Sequence, residues 1–399
     1  MAAKDAKVRE DLEITGPSPS LTSEAVAAAV GGRHPTLNTK PLFKLMVEKK
    51  ASDLFFTSNA PIKIKIEGQI LPVNKQVLTP ETVRQTSFAL MSAEQREHFM
   101  KEWELDFAVS EPGLGRFRVN VFMQRGYPAM VMRYITADMP RLDSLGLPSV
   151  ITDLVLMRRG LLLMVGATGS GKSTTLAAMI NYRNENASDH IVTIEDPIEF
   201  LHTNKRSIVN QREVGLDTKS YARALRGVVR AAPDVILIGE IRDTETMENA
   251  IAFAETGHLC LGTLHSNSAN QTIDRIINFF PEERRKQLLM DLSGNLRAIV
   301  SQRLIRTADG KGRRAAIEIL INTPTIADKL LKGEFHEIKS IMTKSRELGM
   351  MTFDAALFDL YNEGVISYDE AIRNADSANE LRLNIKLNST RKAPELSLS

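Results

Sequence analysis

At 399 residues the chain is too long for one typical domain, and its 43% hydrophobic and 25% charged residues are globular values. A net charge of +2 gives no bulk electrostatic reason for a nucleic-acid or anionic-membrane partner. One cysteine excludes an internal disulfide framework and suits a reducing cytoplasm, and apolar runs such as "LLLMVG" and "DVILIG" fall far short of the ~20 residues a bilayer span needs.

Residues 1–38 are rich in Ala, Gly, Ser, Pro and Thr and read as a flexible extension, with at most a short helix at 23–30. Acidic residues run through this stretch, and it lacks the apolar centre of a signal peptide. The chain therefore reads as soluble, with membrane contact only through partners. From 39 to 138 the pattern is that of an α+β domain. "PLFKLMVEKK" places Leu42, Leu45 and Met46 at helical spacing, and "PIKIKIEGQILPV" alternates Ile62, Ile64 and Ile66 against Lys63, Lys65 and Glu67. Glu67-Gly68-Gln69 turns that strand into the next. Thr79 before Pro80 opens a helix, and Ser92 with Gln95 forms a capping box. "LDFAVSEPGLGRFRVNVFMQRGYPAMVMRYI" then reads as strands joined by Gly/Pro turns.

A Pro-punctuated linker covers 139–150. Over 151–285 apolar strands alternate with long helical segments, the pattern of a largely parallel α/β sheet. Residues 286–384 read as helical, including "PEERRKQLLMDLSGNLRAIVSQRLI" and "TFDAALFDLYNEG", with a capping box at Ser367 and Glu370. Residues 385–399 read as a frayed tail.

The strongest chemical signal is "GATGSGKST". Gly166, Ala167, Thr168, Gly169, Ser170, Gly171, Lys172 and Ser173 match a phosphate loop, with Thr174 starting the helix behind it and the strand Leu161–Val165 before it. The glycines let backbone N–H groups point inward at phosphate oxygens, and the helix N-terminus adds positive charge. Lys172 is expected on the β- and γ-phosphates of ATP, and Ser173 on Mg²⁺. Hydrolysis also needs an acid at a neighbouring strand end, and Glu240, at the end of Val235–Ile238 in "APDVILIGEIRD", supplies it on the metal side. Asp243 is better placed to cap the helix that follows. A second cluster, "IVTIEDPIEF", offers Glu195, Asp196 and Glu199, one of which must polarise the attacking water, with Pro197 fixing the turn.

"GHLCLGTLHSN" gathers His258, Cys260 and His265. As a zinc site it lacks a fourth ligand, and as a thiol site it shows no charge to lower the cysteine pKa. A buried strand that delivers a histidine to a γ-phosphate is the better reading.

Taken in order, "GATGSGKST", "IEDPIEF", "DVILIGEIRD" and "GHLCLGTLHSN" resemble the Walker A, Asp box, Walker B and His box of the type II/IV secretion ATPase superfamily, within it the pilus-retraction branch of PilT and PilU. The resemblance runs from about residue 41 to 385. It implies a RecA-like P-loop ATPase core, an N-terminal PAS-like domain and C-terminal helices. It also implies hexameric rings in the cytoplasm that dock on the inner-membrane platform protein of the type IV pilus. By the same resemblance His258 and His265 are the His-box pair, Glu240 the Walker B acid and Glu199 the general base. Arginines of the N-terminal domain are implied to reach a nucleotide in the ring. Arg116 and Arg118 of "RFRVNVF" fit, with Arg133 a further candidate. One cysteine cannot build the tetracysteine zinc module of the extension and type II secretion members, which points to the retraction side. "TIADKLLKGEFHEIKSIM" and "KSRELGMMTFDAALFDLY" look more like the accessory, PilU-type members, which implies a PilT-type partner ATPase. Two other readings compete: a nucleotide-binding scaffold subunit that hydrolyses little, and a RecA-like nucleic-acid motor. The complete set of acids weighs against the first, and the near-neutral charge with 6% aromatic residues weighs against the second.

Overall fold

Alternation of apolar and charged residues builds the first sheet, and continuous apolar runs build the second. The computed structural model describes residues 36–66, 68–135 and 139–391; the short helix expected at 23–30 lies outside them, as does the tail beyond 391. The chain divides into two units, residues 1–137 and 138–399.

In the N-terminal unit, α1 (Lys40–Glu48) is followed by β1 (Asp53–Phe56), β2 (Pro61–Ile66), β3 (Gln69–Val77), α2 (Pro80–Leu90), α3 (Ala93–Glu102), β4 (Glu104–Glu111), β5 (Gly115–Gln124) and β6 (Tyr127–Ile135). The six strands pair antiparallel in the order β3-β2-β1-β6-β5-β4. Ile62 and Ile64 are buried with Leu42, Leu45 and Met46, as the alternation requires. Phe117, Val119 and Val121 fill the same core, so the alternate positions Arg116 and Arg118 belong to the other face of β5. Thr79 accepts the Thr82 N–H at the start of α2, and the Ser92–Gln95 box closes in both directions.

In the second unit the stretch expected to be a linker is part of the fold. Leu142 is buried in its core beside Ile151, Leu154 and Val155 of α4 (Val150–Val155). Then come β7 (Gly160–Val165), α5 (Lys172–Asn186), β8 (His190–Glu195), β9 (Ile208–Glu213), α6 (Tyr221–Val228), β10 (Val235–Ile238), α7 (Thr244–Glu255), β11 (Leu259–Leu264), α8 (Ala269–Asn278) and α9 (Arg285–Asn295). Asp243 caps α7 by accepting the Thr246 N–H at 2.9 Å. With β12 (Leu296–Arg306) and β13 (Arg313–Ile321), the strands lie in the order β13-β12-β7-β11-β10-β8-β9. All pairs are parallel except the last hairpin, β12 with β13. Every residue of β7 is buried: Leu161, Leu163 and Val165 enter the core on one face of the sheet, Leu162 and Met164 that on the other.

Two expectations for 286–384 are corrected. "LRAIVSQRLI" belongs to the strand β12, and the helix α9 ends before it at Asn295. A run buried on all sides carries no periodicity to separate helix from strand, and pairing with β7 settles the matter. The helices α10 (Pro324–Lys332), α11 (Ile338–Lys344), α12 (Phe353–Asn362), α13 (Tyr368–Asn374) and α14 (Ala378–Asn388) come only after that hairpin. Ser367 does accept the Glu370 N–H, but the Glu370 carboxylate turns to Arg373 and Asn374, so that box is half formed.

Glu318 of β13 is buried and accepts the Ala269 N–H at 2.7 Å. Burial pushes its carboxyl up to about 7 against the pull of that bond. The unfolded value is ~4.3, so over this window the folded chain holds a proton that the unfolded chain releases, and stability falls as pH rises through it. Thermal unfolding from about pH 5 to pH 8 is expected to show the wild type losing ground to Glu318→Gln. Parallel curves would show that this carboxyl does not titrate there.

Candidate active site

Parallel strands in register end together. Val165 of β7 pairs with Leu264 of β11, and Ile238 of β10 pairs with Gly262 on one side and Ile194 of β8 on the other. The residues that leave these ends, Gly166, His265, Gly239 and Glu195, therefore emerge along one edge of the sheet, where open α/β sheets bind ligands. A cleft of 310 Å³ lies there, lined by Lys172, Ser173, Glu195, Glu199, Glu240 and His265 among others.

The phosphate loop is held from below by β12. Gln302 donates from Nε2 to the Ser170 carbonyl at 2.8 Å and accepts the Thr175 hydroxyl at 2.8 Å. Gly166 has φ +152, and a Cβ there would lie 2.5 Å from Ser170 Oγ and 2.6 Å from the Gln302 carbonyl oxygen. Lys172 begins α5, and its Nζ donates to the carbonyls of Gly166 at 2.7 Å and Ala167 at 3.0 Å. Desolvation lowers the Lys172 pKa, and the Glu240 and Glu199 charges pull it back up.

The acids divide by environment. Glu240 leaves β10 half-buried, with Oε2 2.6 Å from Arg242 and Oε1 3.2 Å from His265 Nε2. Glu195 accepts the Thr193 hydroxyl at 2.6 Å and the Gln211 amide at 3.1 Å. Burial raises its pKa despite these bonds. Glu199 is exposed on the cleft. Between them Asp196–Pro197 is a cis peptide. Glu213 accepts the Ile198 N–H at 3.1 Å, and that bond ties the loop to β9. Gly239 allows the β8 and β10 ends to close, because a Cβ would stand 3.0 Å from the Ile194 carbonyl and 3.1 Å from Glu195 Cα.

A profile described as "Type II/IV secretion system protein" matches residues 36–349. The chain belongs to this family. Among individual relatives it is 55% identical over 356 residues to the type IV pilus ATPase PilU of Pseudomonas aeruginosa, covering 89% of this chain and 93% of that one. It is 41% identical over 334 residues to the type IV pilus retraction ATPase PilT of the same organism, covering 84% and 97%. A crystal structure of the pilus retraction motor PilT with bound ADP superposes with a TM-score of 0.80 at 41% identity, covering 86% of this chain and 98% of that one. The fold is thus the RecA-like one of the secretion ATPases.

Within this secretion-family fold most of the motif residues meet, and His258 does not. It precedes β11 at the opposite edge of the sheet, where its carbonyl accepts the Gly160 N–H. Six strand residues, seven steps of the chain, separate it from His265, about 23 Å at ~3.3 Å per step. Its Nδ1 faces the Phe253 carbonyl at 3.0 Å and Thr256, so in this chain it closes the end of α7 rather than touching the cleft. Cys260 is fully buried in the core and burial pushes its thiol pKa up, so it is packing. The three side chains have separate surroundings, and among the described residues no three His, Cys, Asp or Glu groups gather to hold a metal. Arg116, Arg118 and Arg133 lie in the N-terminal unit. Arg118 clasps Asp106 through Nε and Nη2, and Arg133 meets Asp53 at 2.9 Å.

Gln302, Gln211, Glu213 and Arg242 went unnoticed in the sequence of this secretion-family chain. The three consecutive polar residues Ser301, Gln302 and Arg303 within an apolar run are the available signal, since polar side chains in a buried strand need partners. Gly166→Ala strains a backbone position at a cost of about 1–3 kcal/mol. ADP affinity, measured by titration with a fluorescent analogue, is expected to fall about tenfold or more. Unchanged affinity would place the nucleotide elsewhere.

Proposed function

We propose that the chain is an ATP-hydrolysing motor subunit of type IV pilus retraction, of the PilU type. The observation that carries this is the 55% identity to PilU over 89% of the chain, a length that necessarily spans all four cleft motifs. The reaction is ATP + H₂O to ADP and phosphate.

Phosphoryl transfer needs positioning and charge neutralisation more than covalent chemistry. N–H groups of residues 166–172, with Thr174 behind them, cradle the phosphates. Lys172 exchanges two loop carbonyls for β- and γ-phosphate oxygens, and its partial desolvation strengthens that attraction. The Ser173 hydroxyl and the Glu240 carboxylate are hard oxygen donors on the cleft wall and fit Mg²⁺. Bound there, the ion neutralises phosphate charge. Glu199, exposed on the cleft, orients the attacking water. Glu195, half-buried and bonded to Thr193 and Gln211, shapes the loop that carries Glu199. His265, bonded to Glu240, senses the γ-phosphate.

The working form is a homo-hexamer on the cytoplasmic face of the inner membrane, held there by the pilus platform protein, with no nucleic-acid partner. Among the described residues no helix is long and apolar enough to cross a membrane. Arg116 and Arg118 serve a nucleotide across a subunit boundary, Arg118 trading the Asp106 carboxylate for phosphate oxygens that suit the same planar fork. The divergent C-terminal segments favour an accessory role beside a PilT-type ATPase.

Steady-state ATPase activity with a mass readout tests this. Turnover is expected to rise with hexamer formation. Glu240→Gln and His265→Ala are each expected to bind ADP normally and lose about 10²–10³ in kcat. Full turnover in Glu240→Gln would defeat the proposal, and full turnover in His265→Ala would remove that residue from the chemistry. A well-formed hexamer that turns over only after a PilT-type ATPase is added would establish the accessory role.

A further inference from the structure

Successive residues of β12 face opposite sides of the sheet. Gln302 braces the phosphate loop. Arg303 turns the other way, to the loop behind His265. Its Nη2 donates to the Asn267 carbonyl at 3.1 Å, two residues past His265. Its remaining bonds go to the C-terminal helices. Nη1 donates to the Asn374 carbonyl at 3.0 Å, Nη2 lies 2.9 Å from Asp376, and the guanidinium sits 3.8 Å above the Phe353 ring.

Asp376 is itself fixed. Its second oxygen receives Lys339 Nζ at 3.1 Å, and its N–H and that of Ser377 donate to Asp354 at 2.7 and 3.1 Å. Thus α12 and the turn between α13 and α14 meet at one guanidinium, and α11 is tied to it through Lys339 and Asp376. The His265 loop has a second pin, the Ala269 N–H on Glu318. That carboxylate is bonded to Ala269 and Ser301, whereas Arg303 is bonded directly to residues 374 and 376. Arg303 is therefore the adjustable pin. Its fork is planar and rigid, so a shift of residues 374–376 turns or releases the donor on Asn267.

We propose that Arg303 is a positioning residue through which the C-terminal helices set the His265 loop, and with it the rate of hydrolysis. The rate arm rests on the reading of His265 given above; the mechanical coupling does not. A load or partner that displaces the C-terminal helices then changes turnover without touching the nucleotide.

The test uses the full chain with Arg303→Met, which keeps the stem and loses the fork, and Asp376→Asn, which keeps Arg303 and weakens its anchor. Amide hydrogen exchange over residues 266–269 is expected to quicken about tenfold in both variants, and kcat to fall about tenfold, with ADP affinity unchanged. Arg303→Lys is expected to recover only part of kcat, since an ammonium cannot hold three partners in one plane. Unchanged exchange at 266–269 would overturn the coupling. So would an ADP affinity that falls with kcat, because it would mean a general loosening of the unit. If Arg303→Met does not fold, Asp376→Asn decides alone. A wild type without turnover would defeat the hydrolysis reading, while the exchange arm still decides the coupling.

Discussion

The parallel register of β7, β11, β10 and β8 is the constraint on which the site depends. Parallel strands cannot be joined by tight turns, so each delivers its C-terminal end to the same edge and leaves by a loop. Four such loops, starting at Gly166, His265, Gly239 and Glu195, form the cleft because Val165 is level with Leu264, and Ile238 with Gly262 and Ile194. No long-range coincidence has to be arranged beyond that register. Gly239 permits the approach, since any side chain there would press on the Glu195 backbone.

Charge is then distributed by burial. Lys172 is partly desolvated and attracted by Glu240 and Glu199, Glu195 is pushed toward its neutral form, and Glu240 is shared between Arg242 and His265. A site with exposed carboxylates at Asp196 and Glu199, a desolvated ammonium and one shared acid is prepared for a highly charged anion. It is poorly prepared for a neutral substrate.

The cleft was legible in the sequence because each of its parts is a contiguous strand–loop motif. Val235–Ile238 was readable to the residue, and so were the caps at Thr79, Ser92 and Asp243. What escaped depends on partners distant in the chain. β12 looks helical until β7 is beside it, and Leu142 looks like linker until the core that receives it is known. Gln302 and Arg303 act through side chains whose targets lie far along the chain, at Ser170, Asn267 and Asp376. His258 misled for the opposite reason. It is near His265 in sequence, but an extended strand carries the two apart, and spacing that suggests a pair in a loop becomes separation across a sheet.

The strand order also sets a timetable for synthesis. In the N-terminal unit most neighbours are consecutive hairpins, so its sheet closes once β6 pairs with β1. In the second unit β7 carries the phosphate loop, yet its neighbours are β11 and β12, and the side chain that braces the loop is Gln302. A growing chain exposes "GATGSGKST" long before either flank exists. The bonds that brace the loop from Gln302 form only once the chain is completed through β12.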